Sequence, residues 1–372
     1  MTILRILLIS SSLIATAGTL LSLVRSTHWA FRVWDFPRVQ VATVAILANT
    51  VYALLFSGGS AMETAMLAAG FGTALWQSYR IFPYLRIAPV KVKNADAASD
   101  NGGERKFSLL VSNVLMENRE HDRLLDVIEK KDPDVILTVE TDDGWIRALD
   151  GLKQTHPHTM LHPLDNYYGM AIFSRLELID PQVKFLVQDD IPSLHVRIRL
   201  RSGDEVFFHA LHPRPPEPIR DQPSAPRDAE LVIVGRQIGE DSSRPTVVAG
   251  DLNDVAWSPT SELFLRLSGL LDPRLGRGFY NSFNANNPIM RYPLDHVFHS
   301  NEFRLVTLQR LESIGSDHFP IYIELLLDPA APSDQPETEK EAGDEEQADE
   351  KLEAQAEAAA TGDDRPNDDD RG

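Results

Sequence analysis

The 372-residue chain contains no cysteine, which excludes disulfides, zinc–thiolate sites and cysteine nucleophiles from its chemistry. Basic residues are also scarce, with 36 Lys and Arg against 55 Asp and Glu. The deficit is local. Residues 328–372 hold 17 acidic and four basic side chains, a net of −13 within the formal −19 of the chain. They lack aromatic residues and almost all branched aliphatic ones, so they cannot bury enough surface to offset the entropy of ordering. Composition therefore predicts an acidic, disordered tail over 328–372, with a marginal helix over 345–360 from Glu, Ala and Lys.

Three stretches at the front of the chain have almost no charge of either sign. Residues 3–24, ILRILLISSSLIATAGTLLSLV, carry only Arg5, and residues 39–56, VQVATVAILANTVYALLF, carry none. Residues 61–79, AMETAMLAAGFGTALWQSY, carry only Glu63. Each is close to the roughly 20 residues that cross a bilayer. The connecting THWAFRVWDFPR and the following IFPYLRIAP mix aromatics with Arg, as interfacial segments do. The expectation is a membrane region over residues 1–90 with about three transmembrane helices, the lipid bilayer as partner, and a multi-pass location. Arg25, Arg32, Arg38, Arg80, Arg86, Lys91 and Lys93 favour a cytoplasmic catalytic domain, whereas Arg5 and the amino terminus favour the opposite side.

A small and polar linker over 91–103 leads to a different pattern over 104–327. KFSLLVSNV, DVILTVET, GMAIFSR, SLHVRIRL, EVFFHALH, PTVVAGDLN, LDHVFHS and HFPIYIELLL read as strands, and HDRLLDVIEKKDP as a helix ending before Pro133. This balance predicts an α/β domain in the form of a layered sandwich, two packed mixed sheets with outer helices.

Polar residues recur where these apolar runs stop: Asn113, Glu140, His212, Asp251, Asn253, Asp295, Asp317 and His318. Hard cations such as Mg2+ take carboxylate and amide oxygens and keep waters for a phosphate, which suits Glu140 and Asn113. Asp251 and Asn253, two apart on a strand, would share a face, one orienting a water and the other donating to phosphate. His318 with Asp295 offers an imidazole held by a carboxylate. Trp257, Ser258, Tyr167 and Tyr168 stand where they would either line a pocket or pack.

SNV with Asn113, DPDVILTVET with Glu140, YGMAIFSR, HALHP with His212, AGDLND with Asp251 and Asn253, LDHVF with Asp295 and GSDHFPI with Asp317 and His318 occur in this order. In this the chain resembles the endonuclease/exonuclease/phosphatase superfamily across the whole of 104–327. The resemblance implies a four-layered α/β sandwich and a metal-dependent hydrolase of phosphodiesters or phosphomonoesters. It implies Mg2+, with Mn2+ as the alternative ion, on Glu140, with Asn113 and Asp317 beside it. It further implies Asp251 positioning or deprotonating the attacking water, Asn253 and His212 contacting phosphate, and His318–Asp295 as a second dyad. Nucleic acid, phospholipid and small metabolite remain the substrate classes, and a non-catalytic membrane-bound binding or scaffold protein is the alternative. The proline-rich RPPEPIRDQPSAPRDAE departs from the nucleases of the superfamily. Arg197, Arg199, Arg201, Arg214, Arg220, Arg227, Arg274, Arg277 and Arg291 are scattered rather than striped, which weakens the nuclease reading unless the fold gathers them.

Overall fold

The computed structural model describes residues 2–96, 103–216, 222–241 and 243–364. Linker residues 97–102, Arg220 and tail residues 365–372 lie outside the described residues. Four helices come first: α1 (Thr2–Ser22), the short α2 (Trp29–Arg32), α3 (Arg38–Phe56) and α4 (Ala61–Ile81). Small side chains let α1, α3 and α4 approach closely, with Ala15, Val41, Ala45 and Ala74 as their shared core. Their polar groups pair inward: Ser12 Oγ donates to Asn49 Oδ1 at 3.0 Å, and Gln77 Nε2 to Thr19 Oγ1 at 2.8 Å.

α1 and α3 are each long and apolar enough to cross a membrane. α4, expected as a third span, is not among them. Glu63, Thr64, Thr73, Gln77, Ser78 and Arg80 dilute its apolar residues, and Glu63 is there to cap it, closing a capping box with Ser60.

Two mixed sheets form the rest. The first has the order β10 (Phe303–Arg310), β11 (Ile321–Leu327), β1 (Lys106–Asn113), β2 (Val135–Val139), β4 (Met170–Ser174), β3 (His158–His162). The second has the order β5 (Glu177–Lys184), β6 (Ser193–Arg199), β7 (Glu205–Ala210), β8 (Thr246–Asp251), β9 (Asp295–His299). β1–β2 and β7–β8 are the parallel pairs. Parallel neighbours need a crossover, supplied by α5 (His121–Lys131) in the first sheet and α7 (Ala225–Glu240) in the second.

Side chains of a strand alternate between faces, and here both faces are apolar. Leu109, Val111, Leu137 and Ile172 meet Val196, Phe208, Val247 and Ala249 between the sheets. Leu110, Ile136 and Phe173 turn outward, where α5 and α6 (Asp143–Ala148) cover them with Leu124, Val127, Ile128 and Trp145. Val248 and Phe298 are covered by Leu231, Val234 and Phe264 of α7 and α8 (Pro259–Ser268). The layers thus run helix, sheet, sheet, helix. Each such buried side chain contributes about 1.5–3 kcal/mol.

Within the acidic tail, the marginal helix expected over 345–360 is present as α9 (Asp344–Thr361), and it lies on α7 and α8. Ala348 and Leu352 pack on Val232, Leu263 and Leu267. Arg236 reaches Glu345 and Asp349, Arg266 reaches Asp344, and Lys351 reaches Asp228. The sequence of the tail shows mainly its self-repulsion; Arg236 and Arg266, which offset it, sit on α7 and α8.

The helix bundle docks on the loop after β8. Tyr84 Oη donates to Ala256 O at 2.7 Å, Trp257 Nε1 to Asp35 O at 2.8 Å, and Arg80 pairs with Glu262 at 2.8 Å.

Candidate active site

The two crossovers bring the carboxyl ends of β1, β2, β7 and β8 to one rim, where sheets with parallel strands place their ligands. Asn113 ends β1, Glu140 follows β2, His212 lies just past β7, and Asp251 ends β8. Register adds Asp295, which opens β9 directly opposite Asp251. Asp317 and His318 stand in the turn before β11 rather than on the strand. Ser316 Oγ ties that turn down, donating to Asn113 O at 2.9 Å and accepting from His318 N at 3.0 Å.

Asn113 joins the two halves. Its Nδ2 donates to Glu140 Oε1 at 2.7 Å and to Asp251 Oδ2 at 3.0 Å. Asp251 Oδ2 lies 3.5 Å from His318 Nε2, and His318 Nδ1 lies 2.7 Å from Asp295 Oδ2. A single chain of contacts therefore runs from Glu140 through Asn113, Asp251 and His318 to Asp295, across both sheets.

Their titration follows from this packing. Burial alone would lower the pKa of His318, but Asp295, Asp251 and Asp317 push it up to about 10, so it is an imidazolium at neutral pH. Burial raises Glu140 to about 7, with Asp251 and Asp317 adding to the shift and the Asn113 hydrogen bond opposing it. Burial lowers His212 to about 4, leaving it neutral. Its Nδ1 has no hydrogen-bond partner among the described residues, and its ring lies 5.4 Å from that of Tyr168.

Four carboxyl groups thus face one imidazolium. A carboxyl pushed up by burial and by its neighbours is what a cation would relieve, so this donor set fits a hard divalent ion with oxygen ligands. Asp251, Asp295 and His318, all buried with ligand atoms within 4.8 Å of one another, could also hold a metal ion.

Asn253 reaches the rim by a different route from the one its spacing predicts. β8 ends at Asp251, and Asn253 takes a left-handed conformation with φ 51°. Its N donates to Asp251 Oδ1 at 2.9 Å and its Nδ2 to Pro213 O at 3.0 Å. A turn, not the pleat, sets its direction. Glu140 has the same backbone handedness, with φ 59°; such residues cost on the order of 1–3 kcal/mol each and cluster at functional sites. Gly250, with φ 142°, lets β8 pass so near Leu211 that a Cβ there would lie 2.0 Å from its carbonyl oxygen.

Trp257 packs rather than lining the rim: it is buried between Tyr84 and Phe279. Ser258 is buried too and caps α8. Tyr168 faces His212, whereas Tyr167 is exposed beside Glu117. Arg197, Arg199, Arg201, Arg214, Arg227 and Arg274 are held in ion pairs with neighbouring acids. A cavity of about 540 Å3 lies away from the rim, between the helix bundle, α8 and α9.

Sequence reasoning gave no role to three supporting residues. Ser316 lies inside GSDHFPI, the one signal that could have found it. Ser282 Oγ, which accepts from Asp295 N at 3.0 Å, carries no signal. Neither does Arg227, which donates to Asn253 O at 2.8 Å and pairs with Asp228 and Asp254.

A model of the Endonuclease/Exonuclease/phosphatase family matches residues 110–318, more than half of the chain. No curated protein matches. Among solved structures, D. rerio TDP2 complexed with a single-strand DNA product is 18% identical, covering 59% of this chain and 98% of its own, with a TM-score of 0.48. The human Nocturnin catalytic domain with bound sulfate is 14% identical, covering 60% and 94%, with a TM-score of 0.46. A functionally unknown protein from Enterococcus faecalis V583 is 15% identical, covering 59% and 100%, with a TM-score of 0.49.

Proposed function

Since this chain belongs to the Endonuclease/Exonuclease/phosphatase family, whose members are usually hydrolases of phosphoester bonds, we propose that it is a membrane-anchored, divalent-metal-dependent phosphoesterase. The observation that carries this reading is the unbroken chain of contacts Glu140, Asn113, Asp251, His318, Asp295. It joins a cation-seeking carboxyl to a fixed acid–base pair at one rim of the two sheets. We assign residues 104–327 to the catalytic domain and α1 and α3 to the anchor.

Glu140 would hold the ion, with Asn113 and Asp317 beside it, and Mg2+ is the ion we propose. When bound, such an ion supplies positive charge to a phosphate oxygen and steadies the charge that develops there. Asn113, whose Nδ2 now faces Glu140 and Asp251, would turn its amide to offer oxygen. Asp251 orients the attacking water and takes its proton, its Oδ1 held in place by Asn253 N. His212, neutral through burial, donates one hydrogen bond to the phosphate. Asn253 adds a second from Nδ2. His318, fixed by Asp295, presents an imidazolium to the negative charge gathering in the transition state.

The test is hydrolysis by the full-length protein of single-stranded DNA, phospholipid and an aryl phosphodiester, with Mg2+ and with excess chelator. Turnover that chelator removes and Glu140→Ala abolishes is the expected result. Folded protein without turnover on any of them would favour a binding or scaffold role for the same site.

A further inference from the structure

We infer that residues 284–291 form a second membrane contact, which sets the rim of the active site against the lipid surface; this rests on the reading of α1 and α3 as the anchor. The segment touches the site at one end and the helix bundle at the other. Ala285 N donates to Asp317 O at 2.7 Å, and the ring of Phe283, just ahead, lies 4.9 Å from His318. At the far end, Gln40 Nε2 of α3 donates to Ile289 O at 2.6 Å.

The apolar side chains of this segment face outward. Ile289 is 73% exposed and Met290 44%. Exposed apolar residues standing singly need no explanation, but among the described residues of 104–327 no other two exposed large apolar residues are adjacent in sequence. The loop holds them there by its own bonds, because Asn287 Oδ1 accepts from both Ile289 N and Met290 N, at 3.1 and 3.2 Å.

The occupant follows from continuity with α3. Gln40 lies in the first turn of that helix, and Val44, one turn further and about 6 Å along the axis, begins its outward apolar face. Val44, Ile46, Leu47, Leu54 and Leu55 are all exposed on it. A bilayer around this face reaches the level of Ile289 and Met290 without a gap. Arg291 follows them, an arrangement of apolar and basic side chains that suits the interface of a lipid headgroup layer.

The absence of cysteine makes the test direct, since each introduced thiol is the only one. Ile289→Cys, Leu47→Cys and Glu129→Cys in the full chain are labelled with an environment-sensitive fluorophore. The chains are reconstituted in vesicles of phosphatidylcholine and phosphatidylglycerol carrying nitroxide lipids. Leu47 samples α3, and Glu129, exposed on α5, samples water. The expected result is strong quenching at 289 by nitroxides near the headgroups, quenching at 47 by nitroxides deep in the acyl chains, and little at 129. Quenching at 47 but none at 289 beyond that at 129 overturns this inference and leaves the anchor standing. No quenching at 47 overturns both.

Discussion

His318 Nδ1 and Asp295 Oδ2 are 2.7 Å apart, in a pocket where both side chains are buried. The pair explains why a buried imidazole stays charged: the carboxylates of Asp295 and Asp251 outweigh the cost of desolvation. Because the folded pKa is raised, the stabilisation is fully present below the ordinary histidine value and is lost as pH rises through about 10. Asp295→Asn should lower the His318 pKa and move the alkaline limb of the pH–rate profile to lower pH. It should reduce kcat by about 10²–10⁴-fold. A pH–rate series on both proteins checks the shift.

Glu230 gives the opposite sign. Burial alone raises its carboxyl to about 8 from an ordinary 4.5, and its Oε1 has no partner among the described residues. The folded state therefore keeps a proton that the unfolded state has released, and stability falls as pH climbs between those values. Glu230→Gln should match the parent near about pH 5 and exceed it by about 2–4 kcal/mol near about pH 9, by the free energy equivalent to a pKa shift. Denaturant titrations at the two pH values decide it.

Arg227 is buried and pairs with both Asp228 and Asp254 while donating to Asn253 O. Arg227→Met leaves those carboxylates short of a partner and should cost about 3–5 kcal/mol. Arg227→Lys keeps the charge but not the planar fork. It should fold, with a reduced kcat and a smaller change in KM, as steady-state kinetics would show.

Trp257 separates packing from hydrogen bonding at the junction of bundle and sandwich. Trp257→Ala should cost about 3–5 kcal/mol. Trp257→Phe keeps edge-to-face contacts with Tyr84 and Phe279 and loses the bond to Asp35 O, a cost of about 1 kcal/mol. Thermal melts of the two variants in the same detergent compare them.

The strands that sequence reasoning found are those with continuous apolar runs, and the three it missed share one position. β3, β5 and β10 are all sheet edges. An edge strand has a single neighbour and a wet side, so its residues need not be apolar throughout. β5, ELIDPQVK, even holds Asp180 and Pro181, at an irregularity between Ile179 and Gln182. β9 is also an edge, yet LDHVF was legible because it is buried along its length. The site residues were legible for a similar reason, each being a polar group at the end of a buried apolar run. The backbone turn that redirects Asn253 was not, since spacing along a strand assumes that the strand continues. The third apolar segment misled because length and low charge say little about the polar, uncharged residues that α4 turns toward its neighbours.

One contact of α9 gives the far end of the chain a weight that its composition hides. Lys351 Nζ lies 2.8 Å from Asp228 Oδ2, Asp228 pairs with Arg227, and Arg227 holds the carbonyl of Asn253. A stop codon ahead of residue 344 would therefore be felt at the loop that carries Asn253, and a lesion in the last part of the gene would disturb the proposed site rather than only shorten a tail.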